Sequence, residues 1–236
     1  SIALDGGTVT VTGGALTISN VAGSLTTNGG AVTADGNLAI TGTLDSGGGA
    51  VATTGAAATI TVNTGGQILT GGADLSGVNG TITVNAGGQI LTEGGDLAAV
   101  AAPLVVNGRL DTAGGDITGI TTTTVNAGGQ ILTGGGDLTG GGALTHNVGG
   151  LIDLGDGGAL TVLSATTFAG SLVGGPDTSV NTTGGALTLN AATSSIALDG
   201  GTVNVTGGAL TISNAAGSLT TNGGAVTADG NLAITG

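Results

Sequence analysis

Several residue types are absent from this sequence or nearly so. The 236 residues include no Cys, Met, Trp or Tyr, and only one Phe, one His (His146) and one basic side chain, Arg109. Without cysteine, the chain has no disulfide scaffold, thiol catalysis or Cys-ligated metal site. Nucleic-acid binding needs clustered Lys and Arg with aromatic platforms, so that class is excluded too. The longest apolar run, residues 97–106, spans ten residues, which is too short to cross a bilayer.

What remains is glycine, small aliphatic residues and acidic charge. The chain has 54 Gly, 39% hydrophobic residues, a net charge of −13 and a mean hydropathy of +0.49. Two prolines and no three-residue glycine period exclude collagen, and the aliphatic content argues against disorder. The composition predicts an ordered chain that buries many small side chains.

The chain contains a long internal duplication. Residues 195–236 repeat residues 1–42 except that Thr10 becomes Asn204 and Val21 becomes Ala215. We therefore predict one repeat unit over residues 1–194 and the start of the next, in the same continuous structure, over 195–236. The sequence also begins without Met or a signal peptide, and we expect it to be a window from a longer tandem array.

A shorter period lies inside the unit. Residues 59–75, 81–97 and 122–138 read TITVNTGGQILTGGADL, TITVNAGGQILTEGGDL and TTTVNAGGQILTGGGDL. The mean step of about 22 residues gives nine coils per unit and about eleven in this chain, a period typical of solenoids. The asparagine of the motif recurs as a ladder: Asn63, Asn85, Asn107, Asn126 and Asn147.

Each coil contains three short stretches separated by glycine pairs. The glycines stop helices and form tight corners, whereas the Thr-, Val- and Ile-rich stretches favour strands. A meander of hairpins does not explain the asparagine ladder, but a parallel all-β solenoid does, because successive coils stack at about 4.8 Å. Three columns are predicted to face inward: Leu25, Leu44, Ile68, Ile90, Leu110, Ile131, Ile152 and Leu172; Leu75, Leu97, Ile117, Leu138 and Leu160; and Val62, Val84 and Val125.

The motifs VNAGGQILT and GGALTI and the repeated GGxLT blocks resemble the passengers of filamentous-haemagglutinin-like adhesins and autotransporter-type surface exoproteins of bacteria. The resemblance implies a right-handed, three-sided parallel β-helix at the cell surface, outside the cell, working in adhesion or as a stalk. The near-identical duplication and the near-absence of Lys and aromatics depart from those passengers and favour a repetitive fibre. We therefore expect a stiff, non-catalytic rod that associates end to end, and laterally if a seam exists. The alternative is a calcium- or glycan-dependent adhesion module at a host or cell surface.

Two polar columns are candidate sites. The asparagine ladder could present amides to a sugar, or its amides could bond to each other along the axis at a corner where Asn tolerates left-handed φ. The aspartate column, Asp74, Asp96, Asp116 and Asp137, directly precedes inward residues and is expected to face outward. Stacked carboxylates would repel, and calcium would relieve that repulsion; the other reading is a solvated turn residue.

The leucines Leu69, Leu91 and Leu132 share an outward column and are either scattered surface residues or a seam for lateral association.

Catalysis has little support in the sequence. A polysaccharide-cleaving enzyme would need converging acidic and basic groups, and Arg109 is expected to form a surface ion pair with Asp111. His146 lacks partner histidines for a metal site. We predict no catalytic residue and no cofactor; calcium at the aspartate column is the alternative.

Overall fold

The protein is an all-β solenoid of parallel strands. In the computed structural model, which describes residues 1–234, one sheet contains eleven strands, one from each coil, and is called sheet A here. With strands numbered in chain order, sheet A consists of β1 (Ile2–Ala3), β4 (Ser24–Thr26), β7 (Thr43–Asp45), β10 (Gln67–Leu69), β13 (Gln89–Leu91), β15 (Arg109–Asp111), β17 (Gln130–Leu132), β20 (Leu151–Asp153), β23 (Ser171–Gly174), β26 (Ser195–Leu198) and β29 (Ser218–Thr220). At the usual strand spacing, the eleven coils form a rod about 50 Å long.

The other twenty strands of the described residues form two parallel ladders. Ladder B contains β2 (Val9–Val11), β5 (Val32–Ala34), β8 (Val51–Thr53), β11 (Leu75–Ser76), β18 (Leu138–Gly140), β21 (Ala159–Val162), β24 (Ser179–Thr183), β27 (Thr202–Thr206) and β30 (Val226–Ala228). Ladder C contains β3 (Leu16–Ile18), β6 (Leu38–Ile40), β9 (Ile60–Val62), β12 (Ile82–Val84), β19 (Leu144–His146), β22 (Thr166–Phe168), β25 (Leu187–Leu189), β28 (Leu210–Ile212) and β31 (Leu232–Ile234).

Two long strands, β14 (Leu97–Val106) and β16 (Ile117–Val125), belong to both ladders. The first of them is the ten-residue apolar run of the sequence. Neither strand contains a glycine pair, so the chain continues from ladder B to ladder C without a tight turn. No helix in residues 1–234 is long and apolar enough to cross a membrane.

The core is a set of aliphatic columns between the three faces. The three inward columns expected from the sequence are confirmed: their side chains are buried, and Leu25, at 5%, is the most exposed of them. Pairing is in register, for example Ile68 with Ile90 on sheet A and Leu75 with Leu97 on ladder B. Burial of one such side chain is worth about 1.5–3 kcal/mol, so each coil contributes through its contacts with its two neighbours.

The corner between sheet A and ladder B uses left-handed backbone at two successive residues. Glycines occupy both places in several coils, such as Gly71 and Gly72 at φ +61° and +93°. In several coils the next residue is also glycine and stacks directly on the coil before it: a Cβ on Gly115 would overlap the carbonyl oxygen of Gly95, although Ala73 occupies the same place after Gly71 and Gly72. This close approach, as much as the positive φ, explains the glycine content.

Pairing continues through the start of the duplicated segment. Leu172 pairs with Ile196, Val180 with Val203 and Leu187 with Leu210. The second copy therefore adds coils to the same solenoid. Its last two residues, Thr235 and Gly236, lie outside the described residues.

Candidate functional site

The asparagine ladder lies after ladder C, with its side chains half-buried. Asn85 Nδ2 donates to Asn63 Oδ1 at 3.2 Å, Asn126 to Asn107 at 2.8 Å and Asn147 to Asn126 at 2.7 Å. Asn107 instead donates to the carbonyl of Val84 at 3.4 Å. The amides are therefore largely bonded along the axis.

The backbone of this corner differs from the expectation. None of the five asparagines has positive φ; the left-handed residue is the first glycine of the following pair, as at Gly65 and Gly87 with φ of +80° and +77°. The corner therefore does not use the tolerance of asparagine for left-handed φ, because glycine adopts that region at no steric cost. Asn107 is followed by a shorter corner, with only Gly108 before β15, and this is the place where the amide chain is interrupted.

The aspartate column lies at the start of the ladder B strands. Each carboxylate accepts a backbone N–H from the next coil: Asp96 N donates to Asp74 Oδ1 at 2.9 Å, and Asp116 N to Asp96 Oδ1 at 2.8 Å. The series continues through Asp137, whose Oδ1 accepts from Ala159 N at 2.8 Å. One oxygen of each carboxylate thus has a structural partner. In residues 1–234 no group of three or more His, Cys, Asp or Glu side chains is placed to hold a metal ion, and calcium binding stays a prediction.

The leucines of the proposed seam lie half-buried on the outer surface of sheet A. Leu69 pairs with Leu91, but Asp111 then intervenes before Leu132. Asp153 and Val173 follow in the same column. The structure therefore places two of the three leucines side by side on adjacent strands and separates the third from them by a carboxylate.

Arg109 and Asp111 form an ion pair on sheet A. Nη2 of Arg109 lies 2.5 Å from Oδ2 of Asp111, and Oδ1 of the same carboxylate accepts from Ala113 N at 3.0 Å. The Arg109 side chain is 42% exposed, so solvent screens the pair and limits its worth to at most about 1 kcal/mol.

His146 lies in the core, between Val125 and Phe168 in the inward column of ladder C. It is 1% exposed, and its ring meets the Phe168 ring edge-on with centroids 5.3 Å apart. Neither ring nitrogen has a hydrogen-bond partner in the described chain. Burial lowers the pKa of His146 to about 4, and the backbone of the nearby Gly150 has the smaller, opposite effect. The imidazole is therefore neutral at physiological pH and faces away from Arg109 and Asp111.

Sequence reasoning missed one column of buried hydroxyls, called the hydroxyl column here. It follows the sheet A strands and consists of Thr27, Ser46, Thr70, Thr92, Thr112 and Thr133, all fully buried. The Thr27 and Thr112 hydroxyls each donate at 2.5 Å to the carbonyl three residues on, and Thr70 and Thr92 donate in the same way. The feature of the sequence that could have predicted this column is the threonine that ends each QILT motif, directly before a corner.

Comparisons with known proteins add little. No family model matches the chain, and no curated protein sequence matches it. Among solved structures, the chain is similar to the crystal structure of a TibC-catalysed hyper-glycosylated TibA55-350 fragment, with 20% identity over the whole of both chains and a TM-score of 0.24. A similarity this low carries no argument about function, which must be inferred from the coils themselves.

Proposed function

We propose that this chain is a structural repeat of a secreted bacterial surface filament, sheath or adhesin stalk, in which it acts as a stiff, non-catalytic rod. Parallel ladders on three faces run from the first coil to the last of the described residues. Their backbone hydrogen bonds lie along the axis, so bending or tension is shared among the three faces. His146, the one imidazole of the chain, is buried in the core and so is not placed to exchange protons with a substrate at the surface.

The observation that carries this proposal is the junction between the two near-identical copies. Ile196 and Val203, in the second copy, pair in register with Leu172 and Val180 at the end of the first unit, and both are fully buried. The junction is therefore packed like the interior of the unit, which supports a rod built from repeated units in one continuous stack.

The experiment is to express chains that carry one, two and three copies of the 194-residue unit and to measure their length by small-angle scattering and electron microscopy. We expect each unit to add about 43 Å at constant cross-section, since nine coils stack at about 4.8 Å. An increase in cross-section with each added unit would contradict a stiff rod. Separate compact units joined by flexible links would contradict it too.

Localisation needs its own measurement. Antibodies raised against the purified chain are expected to label the outside of intact, unpermeabilised cells of the source organism. Labelling that appears only after permeabilisation would contradict the surface assignment while leaving the rod geometry untouched.

A further inference from the structure

The long polar side chains of this protein are concentrated in one place. Gln67, Gln89 and Gln130 are its only glutamines, Arg109 is its only basic residue, and Glu93 is its only glutamate. The register of sheet A places the three glutamines and the arginine in one outward column over four successive coils. Glu93 follows the second of these strands, at the adjoining corner. Thr, Ala and Ser cover most of the other outward positions, so this column differs in chemistry from the rest of the surface.

An apolar row runs beside this polar row. The outward column two residues further along each strand contains Leu69, Leu91 and Leu132, with Asp111 in the third coil. We call the two rows together the Gln/Leu strip. Its four coils extend about 14 Å along the axis at the usual strand spacing.

The strip contains a shallow concavity of about 340 Å³. Its lining residues are Gln89, Leu91, Glu93, Arg109, Asp111 and Ala113. Donors, acceptors and an apolar wall therefore meet on one concave surface. That combination is typical of a small-molecule site, in which a few polar groups orient a ligand against apolar surface.

Much of the hydrogen-bonding capacity of the strip remains free for a ligand. Gln67 Nε2 donates to Gln89 Oε1 at 3.2 Å, which uses one of the two N–H groups of the Gln67 amide. Arg109 has five N–H donors and spends Nη2 on Asp111. In the asparagine ladder, by contrast, Asn126 both donates to Asn107 and accepts from Asn147.

We propose that the Gln/Leu strip binds an uncharged oligosaccharide that lies along the solenoid axis. A sugar chain offers hydroxyl groups at its edges, which alternate as donors and acceptors, and C–H surfaces on its ring faces. These match the amide and guanidinium row and the leucine row, respectively. The net charge of −13, and the pairing of Arg109 with Asp111, disfavour a polyanion. The site goes beyond the rod function and does not depend on it, since it needs only four stacked coils.

The test measures binding to the whole 236-residue chain by saturation-transfer NMR and titration calorimetry. The probes are the neutral hexasaccharides of the cellulose, xylan, chitin and amylose series, with hexagalacturonate as the anionic comparison. The test variant changes Gln67, Gln89, Arg109 and Gln130 to Thr; the neighbouring coil already carries Thr43 in this column, so the fold is expected to persist. A matched control changes Thr61, Thr83 and Thr145 on the outer surface of ladder C to Ser.

We expect at least one neutral hexasaccharide to bind, the test variant to bind it at least tenfold more weakly, and the control to bind it normally. Circular dichroism checks the fold, and the single variant Gln89→Thr replaces the fourfold variant if the latter unfolds. Failure of every neutral probe, stronger binding of hexagalacturonate, or unchanged binding by the folded test variant would each overturn the proposal. So would light scattering that shows self-association abolished by Leu69→Thr with Leu91→Thr, because the occupant of the strip would then be a second copy.

Discussion

Protonation of His146 should destabilise the fold by a calculable amount. The imidazole has an ordinary pKa of 6.5 in the unfolded chain, and burial lowers its pKa to about 4 in the folded chain. Above pH 6.5 neither state binds the proton and stability is unaffected. Between pH 6.5 and pH 4 only the unfolded state binds it, so stability falls as the pH falls. At about 1.4 kcal/mol per pH unit, the loss reaches about 3 kcal/mol at pH 4 and levels off below that pH, where the folded state also binds the proton.

The measurement is urea denaturation followed by circular dichroism from pH 8 to pH 4, for the wild type and for His146→Leu. The aspartates titrate in both proteins, so the difference between the two unfolding free energies isolates the imidazole. We expect this difference to shift by about 3 kcal/mol in favour of the leucine variant as the pH falls to 4.

The control is Leu144→Val, which changes packing on the same strand without changing a titratable group. Its free-energy difference from the wild type should not vary with pH. A flat difference for His146→Leu would contradict the burial of the ring, because it would mean that the ring reaches water or a partner in the folded state.

Four further predictions concern corners, buried polar groups and metal. Gly115→Ala should lower the free energy of unfolding, measured in a thermal melt, by about 1–3 kcal/mol, because its Cβ meets the Gly95 carbonyl, whereas Gly14→Ala, with open space around its Cβ, should be close to neutral. Ala113 has a φ of +50°, so Ala113→Gly should raise the free energy of unfolding by about 0.5–1 kcal/mol; a decrease would contradict strain at that corner. Thr92→Val should cost about 1–2 kcal/mol in urea denaturation, since it removes a buried hydroxyl and leaves the Gly95 carbonyl short of a donor, and Thr92→Ser should recover most of the loss. If the aspartate column binds calcium, millimolar calcium raises the melting temperature and EDTA lowers it; identical transitions would remove the assignment.

The sequence predicted the parallel solenoid and its inward columns because one pattern is repeated in every coil. The assignment of an inward position in one coil can be checked against the next coil, because Leu75, Leu97 and Ile117 occupy equivalent positions of the pattern. The hydrogen bond between the amides of Asn85 and Asn63 could be predicted for the same reason.

Features that occur once, or that depend on exact backbone geometry, could not be predicted in this way. His146 has no periodic partner, so its burial followed only from its place between Val125 and Phe168. The hydroxyl column was missed because threonine is usually a surface residue of strands, and only the corner geometry turns it inward. The Gln/Leu strip required the register, which places residues from four coils side by side.

The coils of this solenoid are unequal in length, and this limits which insertions and deletions in the coding sequence the fold can accommodate. Leu25 pairs with Leu44, 19 residues later, whereas Leu44 pairs with Ile68, 24 residues later. A deletion or duplication of some 22 residues would therefore misplace corners unless its ends happened to match the local coil. Recombination between the two near-identical copies, residues 1–42 and 195–236, would instead remove or add one whole nine-coil unit and leave the contacts between coils nearly unchanged. The length of the solenoid could thus change in whole units, without any new contact between coils.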